Sequence, residues 1–330
     1  MNSKIVSAAL AACAAVWGAS PASAACQFTK LGDIKVDTKR GAPMIEIEVN
    51  GKTGLMALDT AAFNTMLTRS GADALGIPRG DKLNNFQVFG SDGKEIQTTV
   101  RTLTDVVLGS TFRVKQLPVL ILPQTGGSDV VGSIGVDILA ASDIEFDLAN
   151  GNIALFTSKG CGKDSLAYWT DRYSTAALKR TDDYKIITTV ALNGRPLMAQ
   201  ISSSRSNSIV DQSAAAGAGV KPGDAGVEML GSAGGAARQV WTGSFESFAV
   251  GEEQIKNVRL PFADLWGRMV SSSTGSNVRT KFENMPAMLL GLDFLRAHRV
   301  LIANSQGKMY FSYNGGPIFA KPTETAAIKP

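Results

Sequence analysis

The chain has 330 residues, 44% of them hydrophobic, and a net charge of +4. That length allows two domains of ordinary size, each with its own core, and the near-zero mean hydropathy fits a globular protein. Lysines and arginines are scattered rather than gathered into a stripe, which argues against a nucleic-acid partner; a single histidine excludes a His-rich metal site, and nothing points to a cofactor.

The N-terminus carries the marks of an export signal. Lys4 supplies the positive end, residues 5–17 an apolar stretch, and Ala22-Ser23-Ala24 a small-residue cleavage site. Residues 1–24 are therefore expected to be removed, leaving a secreted protein that is periplasmic if the source is a Gram-negative bacterium. Leu10-Ala11-Ala12-Cys13 has the look of a lipobox but sits too early in the chain to be one. No later segment is apolar for long enough to cross a membrane as a helix. Cys26 and Cys161 remain, and an oxidising compartment favours a disulfide between them over two free thiols.

Short alternating segments and abundant glycine predict an all-β protein. Met44–Val49 and Leu55–Leu58 flank Asn50-Gly51, a strong hairpin signal. Strand-like stretches follow at Phe86–Phe89, Ile96–Leu108 and Phe112–Leu122. Next come Gly135-Val136-Asp137-Ile138-Leu139, a strand at Ile144–Leu148, a turn at Asn150-Gly151 and a strand at Ile153–Phe156.

The chain then repeats itself. A constant offset of 143 residues carries Asn50-Gly51 onto Asn193-Gly194, Asp59-Thr60-Ala61 onto Ser202-Ser203-Ser204, and Leu117-Pro118 onto Leu260-Pro261. Past that point the offset becomes 156, placing Gly135-Val136-Asp137 on Gly291-Leu292-Asp293, so 13 residues have entered between Pro261 and Gly291. The Ser271–Ser276 run in that interval is flexible by composition. A closing hairpin recurs at Val300–Ala303, Gln306-Gly307 and Met309–Tyr313.

These repeats divide the mature chain into lobes at 25–160 and 184–314. Between them, 161–183 spaces Leu166, Trp169, Tyr173 and Leu178 like one face of a short interlobe helix. The Pro-, Thr- and Ala-containing tail at 315–330 is expected to be disordered.

Leu58-Asp59-Thr60-Ala61-Ala62, followed by Ile134-Gly135-Val136-Asp137-Ile138-Leu139, resembles the aspartic protease superfamily. The likeness is to retropepsin-like units fused in tandem, as in pepsin-like bilobal enzymes, and it covers nearly the whole mature chain. It implies two pseudo-symmetric acid-protease lobes around a cleft, with one Asp from each. Such a pair shares a proton, one carboxylate activating water and the other acid protonating the peptide carbonyl. It further implies hydroxyl cross-links between the Asp59-Thr60-Ala61 and Ser202-Ser203-Ser204 loops and supporting loops at Gly135 and Gly291. A hairpin flap is implied at Phe86–Lys94, with Phe86, Phe89, Gly90 and Gly93 as its marked residues.

The chain departs from that pattern at Ala61, which stands where the family has glycine, and at Ser202, which stands where the second Asp belongs. Ser203 aligns with Thr60 and can supply the cross-link; Ser202 can hydrogen-bond Asp59 but cannot share a titrating proton. Without the repeat and the Gly135 motif, Asp59 would read as a turn residue. Asp137 and Asp293 occupy equivalent places and are read as structural, Asp211 aligns with Thr68 and is no substitute acid, and His298 is expected on the surface. No Gly-x-Ser-x-Gly elbow surrounds Ser202–Ser204, and two distant cysteines make no zinc site.

Two functions remain open. One is an exported, catalytically impaired aspartic-peptidase relative whose cleft binds an extended peptide or unfolded protein segment as a monomer. The other is an active aspartic endopeptidase in which Asp59 pairs with Asp59 of a second molecule in a homodimer.

Overall fold

The computed structural model describes residues 25–319 apart from 79–81, 84–87, 90–94, 110, 124–128, 182–184, 234–237, 267–269, 272–279 and 282–284. The expected signal segment, Phe86, Gly90, Gly93, most of the Ser271–Ser276 run and the chain beyond residue 319 lie outside these described residues.

Local sequence sets each hairpin. In Met44–Val49, Ile45, Ile47 and Val49 face the core while Glu46 and Glu48 face solvent. This two-residue period fixes which face of the strand is buried. Asn50 (φ 53°) and Gly51 (φ 72°) turn the chain into Lys52–Leu58, and Asn193 (φ 49°) and Gly194 (φ 75°) do the same between Ile186–Leu192 and Arg195–Ile201. Two successive left-handed residues are the turn that matches strand twist, and Asn-Gly adopts it at least cost.

Each lobe is a six-stranded barrel. In the first, Met44–Val49, Lys52–Leu58, Val130–Ile134, Met66–Leu67, Phe112–Ile121 and Thr99–Leu108 are joined in that order. The barrel closes where Ile47 and Glu48 meet Leu108 and Val107. In the second, Ile186–Leu192, Arg195–Ile201, Met288–Leu290, Ile209–Asp211, Glu253–Ala263 and Arg238–Val250 repeat the order. Closure comes from pairing of Val190, Ala191 and Leu192 with Val250, Ala249 and Phe248. Thr68 and Asp211, related by the repeat, each cap a short helix, accepting from the Gly71 and Ser213 N–H groups.

A further sheet joins the lobes. Gln27–Lys35, Asn152–Lys159, Asp143–Asp147, His298–Ala303, Lys308–Tyr313 and Ser174–Arg180 lie side by side. The crossing between lobes is the antiparallel ladder of Ile144, Glu145 and Phe146 on Ile302, Leu301 and Val300. Cys26 and Cys161 form a disulfide that ties the first of these strands to the segment after Asn152–Lys159.

Three expectations need correction. Residues 161–183 form no helix among the described residues: an irregular strap leads into the strand Ser174–Arg180. Leu166, Cys161 and Ala167 are buried with Phe156, Leu301 and Tyr310, Trp169 packs beside them, and its indole N–H donates to Ser312 Oγ at 2.8 Å. The strap is held by sheet contacts spread along an extended path, and Ser174–Arg180 finds a partner strand on each side. A short helix could not satisfy both edges.

The tail is likewise not all loose. Phe319 is buried edge-on against Phe248, with ring centroids 4.9 Å apart, and Tyr313 Oη donates to Gly316 O at 2.6 Å. His298 is buried rather than exposed: Nδ1 lies 2.8 Å from Phe294 O and Nε2 3.0 Å from Glu253 Oε1. Its place between Ala297 and Arg299 suggested the surface, but its side chain points inward and finds two polar partners, as a buried ring must.

Candidate active site

Asp59 and Ser202 emerge at the ends of equivalent strands, Lys52–Leu58 and Arg195–Ile201. Their backbone N–H groups donate to Ile134 O and Leu290 O, each at 2.9 Å. The two loops that follow are bound to one another across the lobe interface. Thr60 N–H donates to Ser203 Oγ and Ser203 N–H to Thr60 Oγ1, both at 3.0 Å. Thr60 Oγ1 donates to Ile201 O at 2.8 Å and Ser203 Oγ to Leu58 O at 2.6 Å. Both residues are fully buried. Each hydroxyl therefore acts once as donor and once as acceptor, which satisfies four buried backbone groups with two side chains.

Behind each loop stands a second support. Thr65 Oγ1 donates to Asp137 Oδ1 at 2.8 Å and accepts from Gly135 N–H at 3.1 Å. Ser208 Oγ donates to Asp293 Oδ1 at 2.6 Å and accepts from Gly291 N–H at 2.8 Å. A methyl on Gly135 would lie 2.6 Å from Asn64 C, and one on Gly291 2.8 Å from Arg205 O, so both glycines are required by close backbone approach. Thr65 and Ser208 escaped the sequence reading, although both carry hydroxyls at the repeat offset. Asp137 and Asp293 hold the loops by accepting from the N–H and hydroxyl of Thr65 and Ser208. Burial pushes the Asp293 carboxyl up, although Ser208 and the Phe294 N–H pull the other way.

At the centre is Asp59, partly buried. Its Oδ1 accepts from Ala61 N–H at 2.8 Å. Burial is the largest influence and raises its pKa above the usual carboxylate value, against the pull of Ala61, Ser204 and Ala62. The alignment singled out Ser202 as the hydroxyl facing Asp59. Ser202 is buried at the strand end, and of the loop hydroxyls it is that of Ser204, the third residue, that pulls the Asp59 pKa down against burial. Gln200, also missed, extends from beneath the second loop and donates through Nε2 to Ala61 O at 3.5 Å. Its repeat partner is Ala57, which has no polar group to suggest such a role.

The expected flap region contains a two-rung hairpin in which Val88 pairs with Ile96 and Phe89 with Glu95. The repeat offset carries Phe86–Lys94 onto residues 229–237. There Glu228–Ala233 pairs with Arg238–Val250, so both lobes bear a hairpin at this place. Met229 and Leu230 on the second hairpin are exposed. Among the described residues no cluster of His, Cys, Asp and Glu could hold a metal ion. No helix among the described residues is long and apolar enough to cross a membrane.

The family described as aspartyl protease matches residues 45–138 and 188–294, more than half of the chain. Among solved structures, basic 7S globulin from soybean is similar over 86% of this chain and 94% of its own, with 10% identity and a TM-score of 0.42. A retropepsin-like aspartic protease from Rickettsia conorii covers 40% of this chain and 94% of its own, with 20% identity and a TM-score of 0.29. No curated protein matches.

Proposed function

The chain belongs to the aspartyl protease family, and from that premise we propose that it is an exported peptide-binding protein whose protease architecture is retained and whose hydrolysis is impaired. The observation that carries this reading is the pairing of an Asp59 loop with a Ser202–Ser204 loop. Thr60 and Ser203 hold the two loops in register, yet the second loop offers hydroxyls where a second carboxylate is needed. Water activation by a dyad requires one group as base and another as acid. Ser204 can donate a hydrogen bond to Asp59, but with an alcohol pKa it cannot take the second role at working pH.

Binding does not need the dyad. An extended segment can be held by main-chain hydrogen bonds from strand edges and hairpins, with side-chain pockets giving preference. The hairpins at Val88–Ile96 and Glu228–Arg238 are candidates for that role, and export rests on the segment 1–24.

The alternative, Asp59 meeting Asp59 of a second molecule, is disfavoured by what holds the lobes together. Copy two would have to leave the Thr60–Ser203 bonds. It would also have to leave the Asp143–Asp147 ladder and break the bonds that its own Arg296 guanidinium donates to Thr38 O at 2.9 Å and Gly41 O at 3.3 Å. An intramolecular partner already in place has a large effective concentration over an external one.

The test is capture of peptides from a digest of denatured protein on immobilised mature chain, with elution and mass determination. The reading expects a retained subset with unchanged masses. A column that retains nothing over an inert control contradicts it.

A further inference from the structure

We propose that Asn50 is a site of spontaneous modification, where the Gly51 backbone nitrogen displaces the side-chain amide and water then leaves an aspartate or its β-linked isomer. Glycine makes this possible because it has no Cβ to shield its nitrogen. The nitrogen loses its proton to solvent base and bonds to Asn50 Cγ, while the Cγ–Nδ2 bond breaks and ammonia leaves. Water then opens the five-membered imide at either carbonyl. In sum, an amide and water become a carboxyl group and ammonia, and the net charge falls by one with each event.

Asn-Gly occurs four times, at Asn50, Asn150, Asn193 and Asn314, and the fold treats the four unequally. Asn193 is held at both ends of its amide: Nδ2 donates to Ala218 O at 2.9 Å and Oδ1 accepts from Ser247 N–H at 3.1 Å. Asn150 Nδ2 donates to both Asp147 carboxylate oxygens, at 3.0 and 2.9 Å. Its would-be nucleophile is engaged as well, since Gly151 N–H donates to Leu148 O at 3.2 Å. Asn50 and Asn314 are exposed, and among the described residues no hydrogen bond holds either side chain.

The repeat supplies its own control. Asn50 and Asn193 sit in the same turn, with φ of 53° and 49°, followed by glycines at 72° and 75°. Whatever the turn's backbone does to the reaction is therefore common to both, and the difference lies in the side chains. Asn193 must release two hydrogen bonds before its Cγ can reach Gly194 N; Asn50 has none to release. The β-linked product matters to the fold because it adds an atom to the backbone of a two-residue turn, and turn length sets strand register. The pairs Val49–Lys52 and Glu48–Thr53 flank that turn. The strand it feeds, Lys52–Leu58, ends one residue before Asp59.

The experiment incubates the purified, folded protein at pH 8 and 37 °C in heavy-oxygen water, so that only conversion during the incubation carries the label. Peptide mapping by mass spectrometry then follows all four sites with time, in buffer and in urea. Asn50 is expected to convert at a rate near that of Asn314 and at least about tenfold faster than Asn193 and Asn150, a factor equivalent to about 1.4 kcal/mol. In urea the four rates should converge. Equally slow conversion at Asn50 and Asn193 in the folded protein overturns the proposal, because the shared turn backbone would then protect both. Conversion of Asn193 as fast as Asn50 overturns it too, as does a spread of rates that persists unchanged in urea, which would place the cause in neighbouring sequence.

Discussion

The junction between Thr60 and Ser203 gives the most quantitative test of how the two lobes are held. Ser203→Ala removes one oxygen and creates almost no cavity. It leaves two buried backbone groups without their partner, the Thr60 N–H that donated at 3.0 Å and the Leu58 C=O that accepted at 2.6 Å. Each such orphan costs about 1–3 kcal/mol, and the carbonyl falls at the lower end because it has a second lone pair. The sum is about 3 kcal/mol. Thr60→Val keeps the shape and strips the other hydroxyl, orphaning Ser203 N–H and Ile201 O at a similar cost. Because both variants open the same junction, their effects should fall short of additive in the double variant by about 1 kcal/mol or more. The assay is guanidinium unfolding followed by far- and near-UV circular dichroism, with coincident transitions and an unchanged m-value as conditions for comparing midpoints. If Ser203→Ala unfolds within about 0.5 kcal/mol of the wild type, the junction is not what fixes the loops and the reasoning fails.

Other perturbations follow from the same geometry. Burial raises the Asp59 pKa above its unfolded value of 3.8. Its favourable contribution is therefore complete below that value and lost as pH rises through the folded pKa. Asp59→Asn should accordingly raise Tm at pH 7 and change it little at pH 3.5, and equal shifts at both would remove the ionisation argument. Reducing the Cys26–Cys161 disulfide opens a link spanning 135 residues. The chain-entropy limit for such a loop is about 5 kcal/mol, so Tm should drop on the order of 10 °C in thermal scans with reductant. Gly132→Ala places a methyl 2.0 Å from Met66 O, where strands from two sides converge behind Asp59. It should cost at least about 3 kcal/mol in chemical denaturation, and a silent substitution would contradict the close packing of that strand.

Much of the architecture was legible because its signals are local. Asn50-Gly51 and Asn193-Gly194 specify their hairpins by backbone preference alone, and Gly135 and Gly291 mark places where a Cβ cannot fit. The repeat extended that reading to the junction of Thr60 with Ser203. What could not be read depended on contacts distant in sequence. Leu166, Trp169 and Tyr173 are spaced like a helical face, but the sheet beneath them is assembled from both lobes and fixes the strap as irregular chain. His298 sits between Ala297 and Arg299 and is buried against Phe311, Tyr313 and Glu253 as well as the nearby Phe294. Ser204, rather than Ser202, is the loop hydroxyl that pulls on the Asp59 carboxyl, an influence set by loop geometry that alignment alone does not reveal. Phe319 sits in a stretch whose composition suggests disorder, yet one aromatic ring is enough to dock it on Phe248.

The central claim is that a protease fold has been kept while its dyad has been lost. The most direct measurement incubates purified mature protein with a denatured-proteome peptide mixture from pH 3 to 7 and compares wild type with Asp59→Asn by mass spectrometry. The expected result is no new termini from either protein, with both folded by circular dichroism. Cleavage by the wild type that disappears in Asp59→Asn would contradict the claim, whether Asp59 then acts alone or pairs with Asp59 of a second molecule.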